Sequence, residues 1–370
     1  MGKKSIKLFV GMDVHKESID VATGDERGGE VRHYGAIGGE MAAVSRLARK
    51  LESAGGGPLV FVYEAGPCGF GLYRMLRERG HECWVVSPGM TPRSNADRVK
   101  TDRRDSLKLC RLARAGELTP IHVPEALDEA MRDLVRTRED AVAMQRQARQ
   151  RLGALLLRND IRYAGKTAWT PAHRRWIAVL KLPHGAQQIA FEEYVQAVTE
   201  AAARIERLTK AIEAELAHWR WRPVVGALQA FRGIQTIHAV RIVAELGDLT
   251  RFGSARRLMA FLGLVPSENS SGERRQQGSI TKAGNSSARR ALVEAAWAYR
   301  HGARVSPIIA RRHSGIAKAV TDLAWKAQLR LCARFRRLSA RGLHRNKIVV
   351  AIARELSGFV WALGQKVKPL

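Results

Sequence analysis

The stretch Leu59-Val60-Phe61-Val62-Tyr63 is an unbroken apolar run of strand length, and it ends on a carboxylate, Glu64. A strand that is apolar on both sides must be buried on both faces, so it belongs inside a sheet with helices packed above and below. The flanking residues supply the rest of such a sheet. Residues 7–14, with Leu-Phe-Val-Gly-Met-Asp-Val, read as a first strand, and Ser18–Ala22 and Glu30–Tyr34 as a second and third. Their short connections suit an antiparallel meander. Met41–Leu51 carries helical spacing, a helix from about Gly69 to Arg79 precedes a strand at Glu82–Val86, and a further helix runs from about Asp102 to Ala115. The expected order is therefore β-β-β-α-β-α-β-α, an α/β domain over residues 1–124.

The remainder reads as mostly helical. Leu127, Met131 and Leu134 start an amphipathic stretch that continues to about Arg158, and Ile205, Leu208, Ile212 and Leu216 start another at coiled-coil-like spacing. Pro171 and Pro183 lie between them, where helices should break. Residues 125–222 are thus expected to form a helical hairpin, either a coiled-coil arm suited to dimerisation or an ordinary helical domain. Residues 223–370 form a third unit, with an apolar helix from about Thr236 to Leu246 capped by Gly247. A polar loop from Ser267 to Gly284 follows, and arginine-rich helices close the chain.

Charge narrows the partner. The 370 residues include 63 basic and 35 acidic side chains, a formal net charge of +28. So large an excess calls for an anionic partner, and nucleic acid suits it best. Residues 301–350 alone hold twelve Lys or Arg against one acid, Asp322. No run approaches the roughly 18 apolar residues of a membrane span. Asp13 and His15 interrupt the apolar stretch after the basic start, which excludes a signal peptide, and Ile6 breaks the myristoylation pattern. Cys68, Cys83, Cys110 and Cys332 form no C-x-x-C pair, so they suit a reducing cytoplasm rather than a zinc site.

Four carboxylates stand where chemistry can use them. Asp13 lies near the end of the first strand and Glu64 at the end of the fourth, while Asp102 and Asp105 share one face at a helix start. Four acids in one pocket need cations, and an all-oxygen set favours Mg2+ or Mn2+. Two such ions about 3.5–4 Å apart stabilise both the attacking and the leaving oxygen of a phosphodiester. Arg98, Lys100, Arg103 and Arg104 surround the Asp102/Asp105 pair, as suits a phosphate backbone.

At these residues the sequence resembles a known family. Gly11-Met12-Asp13-Val14-His15-Lys16, Tyr63-Glu64-Ala65-Gly66 and Lys100-Thr101-Asp102-Arg103-Arg104-Asp105 look like the three motif blocks of the DEDD transposases of insertion-sequence family one-ten, here of its eleven-eleven branch. Leu264–Arg275 and Gly278–Asn285 look like that family's C-terminal transposase domain. The resemblance implies a RuvC-like, ribonuclease H-like N-terminal domain, whose element order is the one read above, then a coiled-coil arm and a C-terminal domain. It also implies a DNA recombinase whose serine bonds covalently to DNA. The family serine precedes a glycine and maps to Ser271, with Ser270 one residue away. Family members act as oligomers in which one subunit's serine joins another's metal site, so a homo-dimer or tetramer is implied. A structured bridge RNA pairs with donor and target DNA in the family, which would leave the protein to hold duplex shape. Lys100, Arg103, Arg104, Arg274, Arg275, Lys282, Arg289, Arg290, Arg334, Arg336 and Arg337 are the candidate nucleic-acid contacts. The expected location is the prokaryotic cytoplasm, at the nucleoid.

The sequence departs from the family at Gly233-Ile234-Gln235, where members often carry Gly-Ile-Gly. Glycine there would let backbone approach a phosphate, so Gln235 favours a structural turn. Rival readings fit less well. A junction-resolving nuclease of the same fold, using metal-activated water, needs no block around Ser271. A sugar kinase needs a Gly/Thr-rich phosphate loop where His15-Lys16-Glu17-Ser18 stands, and a basic architectural protein has no need of four convergent acids.

Overall fold

A computed structural model describes residues 6–54, 57–92, 101–269, 271 and 276–370. The chain divides into two compact units, Met1–Pro124 and Glu125–Leu370.

In the first unit, strands β1 (Leu8–Val14), β2 (Ser18–Asp25), β3 (Arg32–Gly38), β4 (Leu59–Glu64) and β5 (Glu82–Val86) alternate with helices α1 (Met41–Ser53), α2 (Gly71–Glu78) and α3 (Asp102–Arg114) in the expected order. The sheet runs β3-β2-β1-β4-β5; the meander β1–β2–β3 is antiparallel, and β4 pairs in parallel with β1 and β5. This mixed five-stranded sheet is consistent with a ribonuclease H-like domain. The apolar run in β4 is buried because both faces are covered. Phe61 and Tyr63 meet Val10, Met12, Val44, Leu47, Leu72 and Leu76 on the side of α1 and α2, while Val60 and Val62 meet Phe9, Ala22, Leu109 and Cys110 on the side of α3. Period-2 alternation therefore assigns Phe9, Gly11 and Asp13 to the α3 face. The third strand begins later than expected, at Arg32. Gly28 and Gly29 take positive φ of 106° and 89° in the turn before it, and the strand runs on to Gly38 past a register shift at Val21/Ala22.

The second unit is helical. Helices α4 (Ala126–Arg158) and α6 (Gly185–Leu216) pack together, with the short α5 (Pro171–Ala178) between them in sequence. Pairs Arg138–Thr209, Arg204–Met144 and Gln187–Asn159 descend along α6 as they ascend α4, so the two helices run antiparallel. At about 1.5 Å per residue, each is roughly 50 Å long. Pro171 starts a helix rather than breaking one. It occupies the first turn, where its missing N–H costs nothing, and the Thr170 side chain accepts from His173 N–H. Helix α6 begins well before Ile205, because Phe191 and Val198 are buried against Leu152, Leu155 and Leu156 of α4.

At the other end of the hairpin, Met131, Val135 and Ile212 join the core of the C-terminal helices. These are α7 (Arg222–Leu228), α8 (Thr236–Leu246), α9 (Ala255–Phe261), α10 (Ser286–Ala296), α11 (Pro307–His313), α12 (Lys318–Ala340) and α13 (Arg345–Gly364). Gly247 ends α8 in a positive-φ cap, at 63°. The expected polar loop contains a two-stranded antiparallel hairpin, β6 (Pro266–Glu268) and β7 (Gln277–Ile280). Gly233, with φ 85°, packs so closely on the Ala295 carbonyl that a Cβ would strike it, so this turn approaches the protein's own backbone. No described helix is long and apolar enough to cross a membrane.

Candidate functional site

The β-sheet sets two of the carboxylates side by side. In the parallel β1–β4 pair, Met12 is registered with Tyr63, so Asp13 and Glu64 each follow by one residue and leave adjacent strands on the α3 face. In the antiparallel β1–β2 pair, Asp13 is registered with Asp20. Directly opposite residues share a face, which puts Asp20 beside them.

Helix α3 brings the third and fourth acids to this edge. Thr101 caps it, accepting from the Arg104 N–H at 3.4 Å. Asp102 and Asp105 occupy the first turn, where free N–H groups favour anions. The helix lies directly on β1 because residue 11 is glycine. A Cβ there would sit 2.6 Å from the Cys110 nitrogen and 2.8 Å from the Cys110 Cβ. A polar tie fixes the same approach: Ser106 Oγ donates to Asp20 Oδ1 at 2.7 Å, and that oxygen lies 2.9 Å from His33 Nε2. Ser106 is fully buried, so α3 is anchored to β2 and β3 next to its acidic first turn.

The atoms that converge are those of Asp13, His15 and Asp102, which can each offer one ligand atom with all three within 4.8 Å of one another. His15 Nε2 stands 3.3 Å from Asp13 Oδ2 and 3.5 Å from Asp102 Oδ1. Burial pushes the Asp13 carboxyl above its ordinary range; the charge and hydrogen bond of His15 oppose that shift, and the charges of Asp105 and Asp102 add to it. Such a cluster suits a divalent cation on chemical grounds, since a nearby positive charge favours the ionised carboxylates and offsets both the burial that raises Asp13 and the smaller repulsion from Asp105 and Asp102. Asp105 acts on Asp13 through its charge, and Glu64 stands at the neighbouring strand end. His15 was not among the expected site residues. Strand alternation carried one step past β1 gives it, because positions 13 and 15 share a face.

The other expected residues divide. Arg103 and Arg104 are exposed in the first turn of α3, while Lys100 and Arg98 lie outside the described residues. Ser271 is exposed just beyond β6, where the Asn269 N–H donates to the Gln276 carbonyl; Ser270, Arg274 and Arg275 lie outside the described residues. Lys282 is exposed with φ 56°. Arg289 is turned inward, its Nη1 donating to the Leu262 and Ala283 carbonyls at 2.8 and 2.9 Å, whereas Arg290 is exposed. On α12, Arg336 and Arg337 are exposed, and Arg334 is paired with Glu355 at 2.8 Å.

Comparison with known proteins gives the family of the chain. Residues 10–159 match a family of DEDD transposases, and residues 226–312 match the family described as transposase IS116/IS110/IS902. A Sinorhizobium fredii protein named as a transposase is 44% identical over 363 residues, covering 98% of this chain and 90% of its own. The transposase for insertion sequence element IS1533 of Leptospira borgpetersenii is 32% identical over 335 residues, covering 90% and 96%. A Pseudomonas aeruginosa protein named as a family 20 transposase is 29% identical over 256 residues, covering 67% and 71%.

Proposed function

This chain belongs to the IS116/IS110/IS902 family of DEDD transposases, and from that membership we propose that it cleaves and rejoins DNA with a four-carboxylate centre and a serine nucleophile. The observation that carries the reading is the convergence of Asp13, His15 and Asp102 at the start of a helix that Gly11 allows onto β1. Asp13, Glu64, Asp102 and Asp105 hold magnesium or manganese, and Ser271 is the nucleophile. An ion held by these residues would supply positive charge to the phosphate and favour deprotonation of a nearby hydroxyl. The Ser271 oxygen bonds to phosphorus as a backbone P–O bond breaks, and the proton that the serine hydroxyl gives up is balanced by the one that the departing strand oxygen takes up. Reversal with a different strand oxygen rejoins the DNA. Serine needs this activation, because its hydroxyl is a weak nucleophile.

The nucleophile and the metal centre come from different subunits of a homo-oligomer, with the α4–α6 hairpin as its coiled-coil arm. Sequence choice comes from a bridge RNA. The basic side chains of this chain are spread over many segments, which suits backbone contacts more than base readout.

Reconstitution tests the reading, using purified protein, a divalent cation, donor and target DNA, and RNA from the region flanking the gene. Asp102→Asn should reduce strand cleavage to background while nucleic-acid affinity stays within about twofold of wild type; normal cleavage would remove the carboxylate centre from the mechanism. Ser271→Ala should abolish the covalent protein–DNA product. Loss in Ser270→Ala instead would shift the nucleophile by one residue, and retention in both would eliminate the serine pathway. Sequence-specific joining without RNA would refute the guide, whereas retargeting by edited RNA loops would establish it.

A further inference from the structure

His15 is not one of the four carboxylates, yet its imidazole nitrogen bridges acids from two separate elements. Nε2 stands 3.3 Å from Asp13 Oδ2 on β1 and 3.5 Å from Asp102 Oδ1 on α3. Atoms that share one ion at about 2.1 Å lie roughly 3.0–3.5 Å apart, and both separations have that spacing.

The backbone that carries the imidazole is braced. The His15 N–H donates to the Ser18 carbonyl at 2.9 Å and closes the β1–β2 turn. Gly39 backs this turn: its N–H donates to the Glu17 carbonyl at 3.1 Å, and a Cβ on it would strike the Lys16 carbonyl. The doubly braced turn fixes where the His15 backbone lies relative to Asp13, and the exposed imidazole reaches the two acids from it.

We propose that His15 is a metal ligand of this centre, sharing one ion with Asp13 and Asp102, and that it makes the centre prefer manganese to magnesium. The inference rests on the metal-centre reading above and deepens it. Magnesium is a hard ion that selects oxygen ligands and keeps its waters, whereas a nitrogen ligand is better tolerated by a first-row ion, of which manganese is the one that an oxygen-rich site also suits. A centre of carboxylates alone lacks that bias. A histidine that merely paired with the acids would instead compete with any cation for them.

Calorimetric titration of the purified full-length chain with MnCl2 and with MgCl2 separates these cases. His15→Ala should weaken Mn2+ binding by about tenfold or more, the least that loss of even an outer partner of a ligand costs, and leave Mg2+ binding within about twofold. Equal tightening of both ions would make His15 a counter-charge to the acids and overturn the proposal, as would no change in either. Asp13→Asn separates the two layers of inference. If it abolishes binding of both ions while His15→Ala alters neither, the centre stands and the histidine ligand falls. If Asp13→Asn also alters nothing, the metal centre itself falls. A second readout needs no variant in the measured sample. Substoichiometric Mn2+ should broaden the His15 imidazole proton resonances of the wild-type chain, assigned by their absence in His15→Ala. Sharp resonances at saturating Mn2+ would contradict ligation.

Discussion

Gly11 does more for this site than its lack of a side chain suggests. The carboxylates of β1 and α3 meet only because α3 rests on the strand without an intervening Cβ. Gly11→Ala forces a methyl group against the backbone and Cβ of Cys110, and the helix must move away. Overpacking of this kind costs about 1–3 kcal/mol, which a domain of this size can survive. The larger consequence is geometric, since a shift of about 1 Å in a catalytic group can cost roughly a hundredfold in rate. Gly11→Ala should therefore lower the denaturant midpoint modestly and slow strand cleavage by about a hundredfold. A variant that cleaves at the wild-type rate would show that the approach of α3 does not set the site. Asp20 and Ser106 belong to the same logic. Their hydrogen bond joins residues 86 apart in sequence, so nothing local in the chain announced it.

At the scale of elements, a buried polar cluster locks the long helix α4 to the C-terminal helices. The Glu245 side chain on α8 has no exposed area; it accepts two hydrogen bonds from Arg136 of α4, at 2.8 and 2.9 Å, and one from Asn285 at the start of α10, at 2.6 Å. Beside it, Arg241 pairs with Glu139 and donates to Ser287. Burial alone would raise the Glu245 carboxyl, but the hydrogen bonds from Arg136 and Asn285 and the charges of Arg136 and Arg132 outweigh it and hold the group below its ordinary value of 4.5. A depressed carboxylate stabilises the fold above pH 4.5, and that contribution disappears as the pH falls through the lowered value. Glu245→Gln should cost about 2 kcal/mol at neutral pH, less than the 3–5 of a fully buried pair because solvent reaches Arg136. Unfolding free energies of the two proteins should converge below pH 4.5; a constant gap down to pH 3 would show that charge is not what Glu245 contributes. Elements with strong periodicity were legible in the sequence. The order of the first unit, the strand Glu82–Val86 and the helix Thr236–Leu246 with its Gly247 cap all appear as expected. The β6–β7 hairpin was not, because its residues are mostly exposed and polar and show no alternation. The early start of α6 was hidden for a related reason. Its buried Phe191 and Val198 are too few to mark a face until Leu152 and Leu156 of α4 are known to meet them.

For the molecule as a whole, charge is divided unequally. Residues 1–124 carry 20 basic against 15 acidic side chains, whereas residues 125–370 carry 43 against 20. The first unit, which holds the acidic cluster, is thus closer to balance, and most of the excess positive charge that would attract a polyanion resides in the helical unit. Within α12, not every arginine is available for it. Arg334 and Arg330 both pair with Glu355 of α13, at 2.8 and 2.7 Å, while Arg336 and Arg337 face solvent. Each phosphate neutralised on duplex DNA contributes about −0.9 to the slope of log affinity against log salt. Replacing Arg336 and Arg337 together by alanine should flatten that slope by up to about 2 while leaving thermal stability nearly unchanged, because both side chains are exposed and neither makes a hydrogen bond or ion pair among the described residues. Arg334→Ala should behave differently. It leaves Glu355 with Arg330 alone, so it should lower stability at the α12–α13 contact and alter the salt slope less than the double variant does. Affinity measured from 50 to 300 mM salt, beside thermal unfolding of each variant, separates the two roles. An unchanged slope in the double variant would place the nucleic-acid path away from this stretch of α12. The candidates would then be the exposed Arg103, Arg104, Lys282 and Arg290.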